Sequence, residues 1–342
     1  MGMTRRQFGM VASAVLLGTM SRRVASAAAP TVSLVLAPSN LGLRPENVRQ
    51  PGTWQAPSVL MDAGLREALA AHEVLRLPRP DYEFDAQPRT RIRNGRTIRA
   101  FSFALAEKVQ GVLEAGRFPV VIGGDCSVLL GSLYGARLAG GRGLVHVDGH
   151  SDFTQEKSYA TPQTLGAAAG MDLALASGRG EPLLTEWPDL DGPLAQDADI
   201  VQIGERGAHE PWFKEYYGDI LATEITRLNA QDVLAGGIEA GAERAIARLA
   251  ARGLERAWLH VDLDVLDEKV MPAVDSPGSP GFDYEQLADL IDRLAASGRI
   301  VGTDFAIYDP ERDPGHKHAH DLVACIAGGV GRRSGSASLR GG

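Results

Sequence analysis

The sequence predicts an α/β fold built on a mainly parallel sheet with helices on both faces. Short apolar runs recur and end in Gly or Asp, at 118–122, 143–147, 199–203, 257–261 and 299–303. Segments of helical period lie between them, at 128–138, 164–177, 242–252, 284–297 and 320–328. Strands alternating with helices fold as parallel crossover units. No linker or internal repeat divides residues 30–342, which read as one domain.

The elements follow in order. Residues 31–38 form a first apolar strand, and Pro45, Pro51, Gly52 and Pro57 mark the turns after it. Residues 58–71 read as a helix, 78–95 as a Pro-rich loop, and 100–115 as a helix stopped by Gly116. From residue 118 the strand–helix rhythm runs to the end. His146 and His260 sit inside apolar strands and read as core histidines bonded to backbone. His316, His318 and His320 open the last helix.

Residues 1–29 read differently. Arg5 and Arg6 precede Phe8, an uncharged apolar run spans 10–20, and Ala25-Ser26-Ala27 follows. Charged head, apolar middle and small-residue end make an export signal. Thr4-Arg5-Arg6-Gln7-Phe8 resembles the twin-arginine type, used for proteins exported already folded, so a periplasmic or secreted location is expected. The apolar run is shorter than the ~20 residues that span a bilayer, and no later segment could do so.

The chain of 342 residues has a formal charge of −8, and four of its basic residues but no acid lie in 1–27, so loss of that segment gives −12. A chain this acidic is a poor nucleic-acid ligand, since phosphate contacts need clustered Lys and Arg. Two Cys exclude a disulfide scaffold and a Cys-only zinc module. The expected partner is a small-molecule substrate, with no membrane contact once the signal is gone. Trp187, Trp212, Tyr216 and Tyr217 suit either a packed patch or a homo-oligomer contact.

Three strands end in groups that bind metals. The first continues as Gly123-Gly124-Asp125-Cys126-Ser127, the second as Asp148-Gly149-His150-Ser151-Asp152, and the third as Asp262-Leu263-Asp264-Val265-Leu266-Asp267. In extended chain, residues i, i+2 and i+4 share a side, so Asp148, His150 and Asp152 can face one cleft, as can Asp262 and Asp264. Ligands of parallel sheets bind beyond the carboxyl ends of the strands. Carboxylates so crowded repel unless cations neutralise them. Oxygen donors with a few imidazoles suit Mn²⁺, and two ions about 3.5–4 Å apart can share a bridging hydroxide. Asp152 would hold that hydroxide by a hydrogen bond. Each Asp taken singly is also a good helix cap or turn residue.

The three motifs, in this order, resemble those of the arginase/agmatinase/formiminoglutamase family, the ureohydrolases. The family signatures are Gly-Gly-Asp-His-Ser, Asp-Ala-His-x-Asp and Asp-x-Asp-x-x-Asp-Pro. Pro272–Pro277 with Gly281, and Gly302-Thr303-Asp304-Phe305, extend the match over about 118–329. The resemblance implies a three-layer α/β/α fold, two Mn²⁺ ions and hydrolysis of a guanidino, amidino or imino C–N bond. It implies Cys126, Asp148, His150, Asp152, Asp262 and Asp264 as metal ligands, Asp148 and Asp262 bridging. Thr154, Gln155 and Glu156 fall in a loop the family uses for substrate, and Asp172 is a further candidate for the pocket.

Three departures matter. Cys126 replaces a ligand His; as a thiolate it favours Zn, Fe, Co or Ni relative to Mn. It can also stand unligated or pair with Cys325. Ala169 takes the place of a proton-shuttling His. Ile307, or a neighbour, stands where arginases carry a Glu that grips the guanidinium, so arginine itself is a doubtful substrate. The competing readings are a non-catalytic metal- or ligand-binding protein on the same fold and a one-zinc deacetylase-type amide hydrolase. The deacetylase type lacks the Gly-Gly-Asp-Cys contribution.

Overall fold

The computed structural model describes residues 31–154, 159, 164–211, 213–216 and 218–331. Residues 1–30, where an export signal was expected, and Gln155, Glu156, Trp212 and Tyr217 lie outside these residues. Among the described residues, eight parallel strands form one sheet. They are β1 (Val32–Ala37), β2 (Glu73–Arg76), β3 (Phe118–Gly123), β4 (Gly143–Val147), β5 (Ile200–Ile203), β6 (Thr226–Leu228), β7 (Ala257–Asp262) and β8 (Ile300–Ala306). Their order is β2-β1-β3-β8-β7-β4-β5-β6. Every residue of β1, β3, β4, β5 and β7 is buried, as a sheet covered on both faces requires. β7 and β8 enter between β3 and β4, so β4 and β7, with their polar ends, lie side by side, parted from β3 by one strand, β8.

Helices cover the sheet. Gly95–Glu114 packs on Val128–Leu138, and Tyr284–Ala296 packs between Ile238–Ala251 and Lys317–Gly331. The first pair approaches closely because Val128–Leu138 carries Gly135. A Cβ there would lie 2.6 Å from the Ala106 carbonyl oxygen. Tyr284–Ala296 starts with a capping box, Asp283 accepting from the Gln286 N–H while Gln286 accepts from Asp283 N–H.

Several elements differ from expectation. The helix expected at 58–71 is two pieces, Ala56–Asp62 and Leu65–Ala68, parted by Gly64 at φ 93°. The helix expected at 164–177 begins only at Ala168 as a 3₁₀ turn and then Asp172–Ala176. Before it, Gly166 bridges to Ile92. β8 runs on to Ala306, which places Asp304 inside the strand rather than at its end.

Candidate metal centre

The strand ends meet at a cleft of about 350 Å³. Cys126, His150, Asp152, Thr154, Asp262 and Asp264 line it, with Arg44, Ala169, Asp275, Ser276 and Ile307. Asp148 lies just beneath, fully buried. Donor atoms of Asp148, His150 and Asp152 lie within 4.8 Å of one another, as do those of Asp148, Asp262 and Asp264. The structure thus brings together the six residues that the three motifs supply.

Backbone groups orient the acids. Asp148 Oδ1 accepts from the His150 N–H at 2.5 Å, and Asp262 Oδ1 from the Asp264 N–H at 2.7 Å. His150 Nδ1 lies 2.8 Å from Asp264 Oδ2. The Cys126 thiol donates to Asp262 Oδ2 at 2.6 Å. Cys126 and Cys325 are both free thiols. Asp125, between the motif glycine and Cys126, faces away from the cleft. It accepts from Ser39 Oγ at 2.7 Å and from the N–H groups of Gly42 and Ser127, both at 3.0 Å, and so pins the loop after β1.

Charge dominates this region. Burial, then repulsion from Asp264, pushes the Asp148 carboxyl up to about 7. Burial and repulsion from Asp148 raise Asp152, and burial and Asp264 raise Asp262, both well above the carboxylate range. Burial, then Asp262, raises the Cys126 thiol. Asp264 beside it lifts His150 to about 9. Arg206 brings a buried cation; its guanidinium donates to the Asp264 carbonyl and fills the space a side chain at Gly149 would need. Arg206 and a protonated His150 do not balance four acids. Asp148 Oδ2 has no hydrogen-bond partner among the described residues. Five carboxylate and imidazole ligands plus a thiol, with one donor atom left open, fit a pair of divalent ions.

Three non-glycine residues on the cleft wall have positive φ: Asp152 at 40°, Ser276 at 53° and Ile307 at 75°. A β-branched residue there is a true outlier, and such strain gathers at functional sites. The Ile307 N–H donates to the Gly124 carbonyl at 2.6 Å, tying the end of β8 to the loop that carries Cys126. Sequence reasoning named Ile307 and Ala169 only through the family resemblance, and it missed Arg44 and Arg206. Arg44 comes from a turn-rich loop with no periodicity. Arg206 follows β5, whose end held no recognised motif.

Asp172 is placed differently from expectation. It is fully buried behind the cleft wall, its Oδ1 3.2 Å from His146 Nε2 and its Oδ2 3.4 Å from His260 Nε2. Burial pushes its carboxyl up to about 8. The two histidines stack with centroids 4.8 Å apart. They are not bonded to backbone as expected, because acids surround them. His260 Nδ1 bonds Asp304, which also accepts from the Trp258 indole. Burial opposes protonation of His260, but Asp304 prevails and holds it at about 9. Burial, then His260, drives His146 down to about 3.

Comparison with known proteins agrees with this geometry. The Arginase family model matches residues 31–329. The arginase of Bacillus caldovelox is 28% identical over 321 residues, covering 88% of this chain and 98% of its own. The formimidoylglutamase of Nocardia farcinica is 26% identical over 307 residues, covering 85% and 88%. The crystal structure of arginase from Bacillus cereus superposes with a TM-score of 0.72 at 27% identity, covering 88% of this chain and 98% of that one. A match over nearly all described residues, on the same sheet and with the acids gathered at its carboxyl edge, shows that the chain belongs to the arginase family and is a metal-dependent C–N hydrolase.

Proposed function

We propose that the chain hydrolyses a small guanidino, amidino or imino compound at two divalent ions held by Cys126, Asp148, His150, Asp152, Asp262 and Asp264. The convergence of these six on one cleft carries the reading. When bound, the ions would supply Lewis-acid polarisation and activate water as a nucleophile near neutral pH. Asp148 and Asp262, whose donor atoms lie near those of the other motif, would be the acids placed to hold both ions. Asp152, at φ 40° on the cleft wall, would accept a hydrogen bond from the nucleophilic water and pass its proton towards the leaving nitrogen. The carboxylates favour Mn²⁺, and Cys126 widens the choice to Zn, Fe, Co or Ni.

The cleft wall selects against arginine. Ile307 offers no carboxylate to a guanidinium, and a buried cation without a partner is costly. Ala169 offers no proton shuttle. Among the described residues, Arg44, Thr154, Tyr159, Asp275 and Ser276 are the polar side chains left to line the cleft and hold a substrate. Purified protein loaded with Mn²⁺ or Zn²⁺ should turn over formiminoglutamate, which carries no guanidinium, faster than the guanidino compounds arginine, agmatine, guanidinobutyrate and hydroxyarginine. No turnover with any of the five would overturn the hydrolase assignment to this substrate class.

We also infer export. The Arg5-Arg6 pair, the apolar run and Ala25-Ser26-Ala27 support a twin-arginine-type signal removed near residue 29. Folding before export suits a protein that loads its metal in the cytoplasm. A double Arg5→Lys, Arg6→Lys variant should stay in the cytoplasm at full length; unchanged processing would refute the twin-arginine route.

A further inference from the structure

Beneath the cleft lies a second layer of metal-binding groups that the hydrolytic reading does not use. β4 and β7 are neighbours in register, with His146 opposite His260 and, one pair further on, Val147 opposite Val261. Both strands carry the same triplet, His146-Val147-Asp148 and His260-Val261-Asp262. Because side chains alternate, each His lies on the same sheet face as the acid two residues later. The two imidazoles therefore form a row one step behind the acids of the cleft. Asp172 reaches this row from the helix Asp172–Ala176.

We propose that His146, His260 and Asp172 hold a further divalent transition-metal ion, one layer behind the cleft. Their donor atoms lie within 4.8 Å of one another, and all three residues have no exposed surface. The separations are 3.2 Å from His146 Nε2 to Asp172 Oδ1 and 3.4 Å from His260 Nε2 to Asp172 Oδ2. Tetrahedral bonds of 2.0–2.1 Å put neighbouring donors about 3.3 Å apart.

The unsatisfied atoms point the same way. His260 Nε2 and Asp172 Oδ2 have no hydrogen-bond partner among the described residues, and neither has Asp148 Oδ2, 3.7 Å from His146 Nε2. A half-satisfied buried network is costly, and an ion among these atoms satisfies three of them at once. His260 is also oriented as metal-bound histidines are. Its Nδ1 is engaged by Asp304, itself fixed by the Trp258 indole, which leaves Nε2 to coordinate. Two imidazoles and one carboxylate favour Zn²⁺, Fe²⁺ or Co²⁺ over Mn²⁺. Asp148, shared between the layers, is the fourth donor and couples this ion to those in the cleft.

The test uses the full chain, folded, stripped with chelator, reloaded with Zn²⁺ alone and freed of excess metal. Anomalous scattering from crystals of the native protein should show a zinc peak within about 2.3 Å of a nitrogen of both His146 and His260. Density there without anomalous signal, or none, would overturn the proposal whatever any variant does. Bound zinc, counted by mass spectrometry, should fall by one ion per chain in His260→Gln and in Asp172→Asn, and stay unchanged in those variants if the proposal is wrong. His150→Ala serves as the control for the cleft. Loss of an ion there with none lost in His260→Gln supports the cleft pair and refutes the deep site. The reverse supports the deep site and refutes the pair.

Discussion

On the ligand set proposed above, Cys126 is the residue that retunes the centre. Its thiol, buried against Asp262, gives a softer and more negative donor than imidazole once metal displaces the proton. Cys126→His should therefore shift competition between Mn²⁺ and Zn²⁺ towards Mn²⁺, read as the bound ratio after dialysis against equal concentrations; an unchanged ratio would mean that Cys126 is not a ligand. Ile307 is the matching case for substrate. Replacing it with Glu restores a carboxylate to the wall, and a charge-assisted hydrogen bond is worth about 1.5–3 kcal/mol, so kcat/KM for arginine should rise on the order of 10-fold or more relative to the wild type. No gain would indicate that the strained backbone at φ 75° aims this position away from the guanidinium. The acids of the cleft were legible because they follow apolar runs with a spacing of two. The histidines behind them were not. A His flanked by Val, Leu or Trp reads as core, and its real partners depend on β7 lying beside β4, which no local spacing reveals.

At the scale of elements, strong apolar runs were read to within a few residues, and the helix Val128–Leu138 has the bounds its period predicts. The edge strands were missed. Glu73–Arg76 and Thr226–Leu228 are short and half-buried or exposed at most positions, so they carry no run to detect. The segment 164–177 has helical composition but is drawn out of helix by its Gly166 bridge to Ile92, a long-range contact. Helix packing gives a paired prediction. Gly111 sits on the exposed side of the last turn of Gly95–Glu114 with open space around it, so Gly111→Ala should stabilise by about 0.5–1 kcal/mol. Gly135 faces the same helix from the other side, where a Cβ meets the Ala106 oxygen at 2.6 Å. Gly135→Ala should destabilise by about 1–3 kcal/mol. Denaturant midpoints of the two variants should move in opposite directions, and a common shift would contradict the packing.

For the whole molecule, the strand order decides where charge accumulates. Insertion of β7 and β8 between β3 and β4 gathers acids from widely separated parts of the chain at one edge of the sheet. Folding must then bury them together, and without metal the folded chain does so by holding protons. Asp148 is raised to about 7 and Asp172 to about 8, mainly by burial, while His150 and His260 are raised to about 9 by Asp264 and Asp304. Unfolded, such groups titrate near 3.9 for Asp and 6.5 for His. Each raised group gives stability that is complete below its unfolded value and lost as pH rises through its folded value. His146, lowered to about 3, has the opposite sign: its contribution is present above about 6.5 and is lost on acidification. Between pH 6.5 and 9 the raised groups act alone, so the metal-free protein should melt at progressively lower temperature as pH rises. Divalent ions replace those protons as the neutralising charge, and their affinity grows as the ligands deprotonate. Saturation at a thousand times Kd adds about 4 kcal/mol, so the loaded protein should melt higher and lose the downward slope. Thermal unfolding in chelator and in excess Mn²⁺ at pH 6.5, 7.5 and 8.5 separates the two curves. A metal-free protein that gains stability over this range would show that the buried acids are neutralised by something other than bound protons.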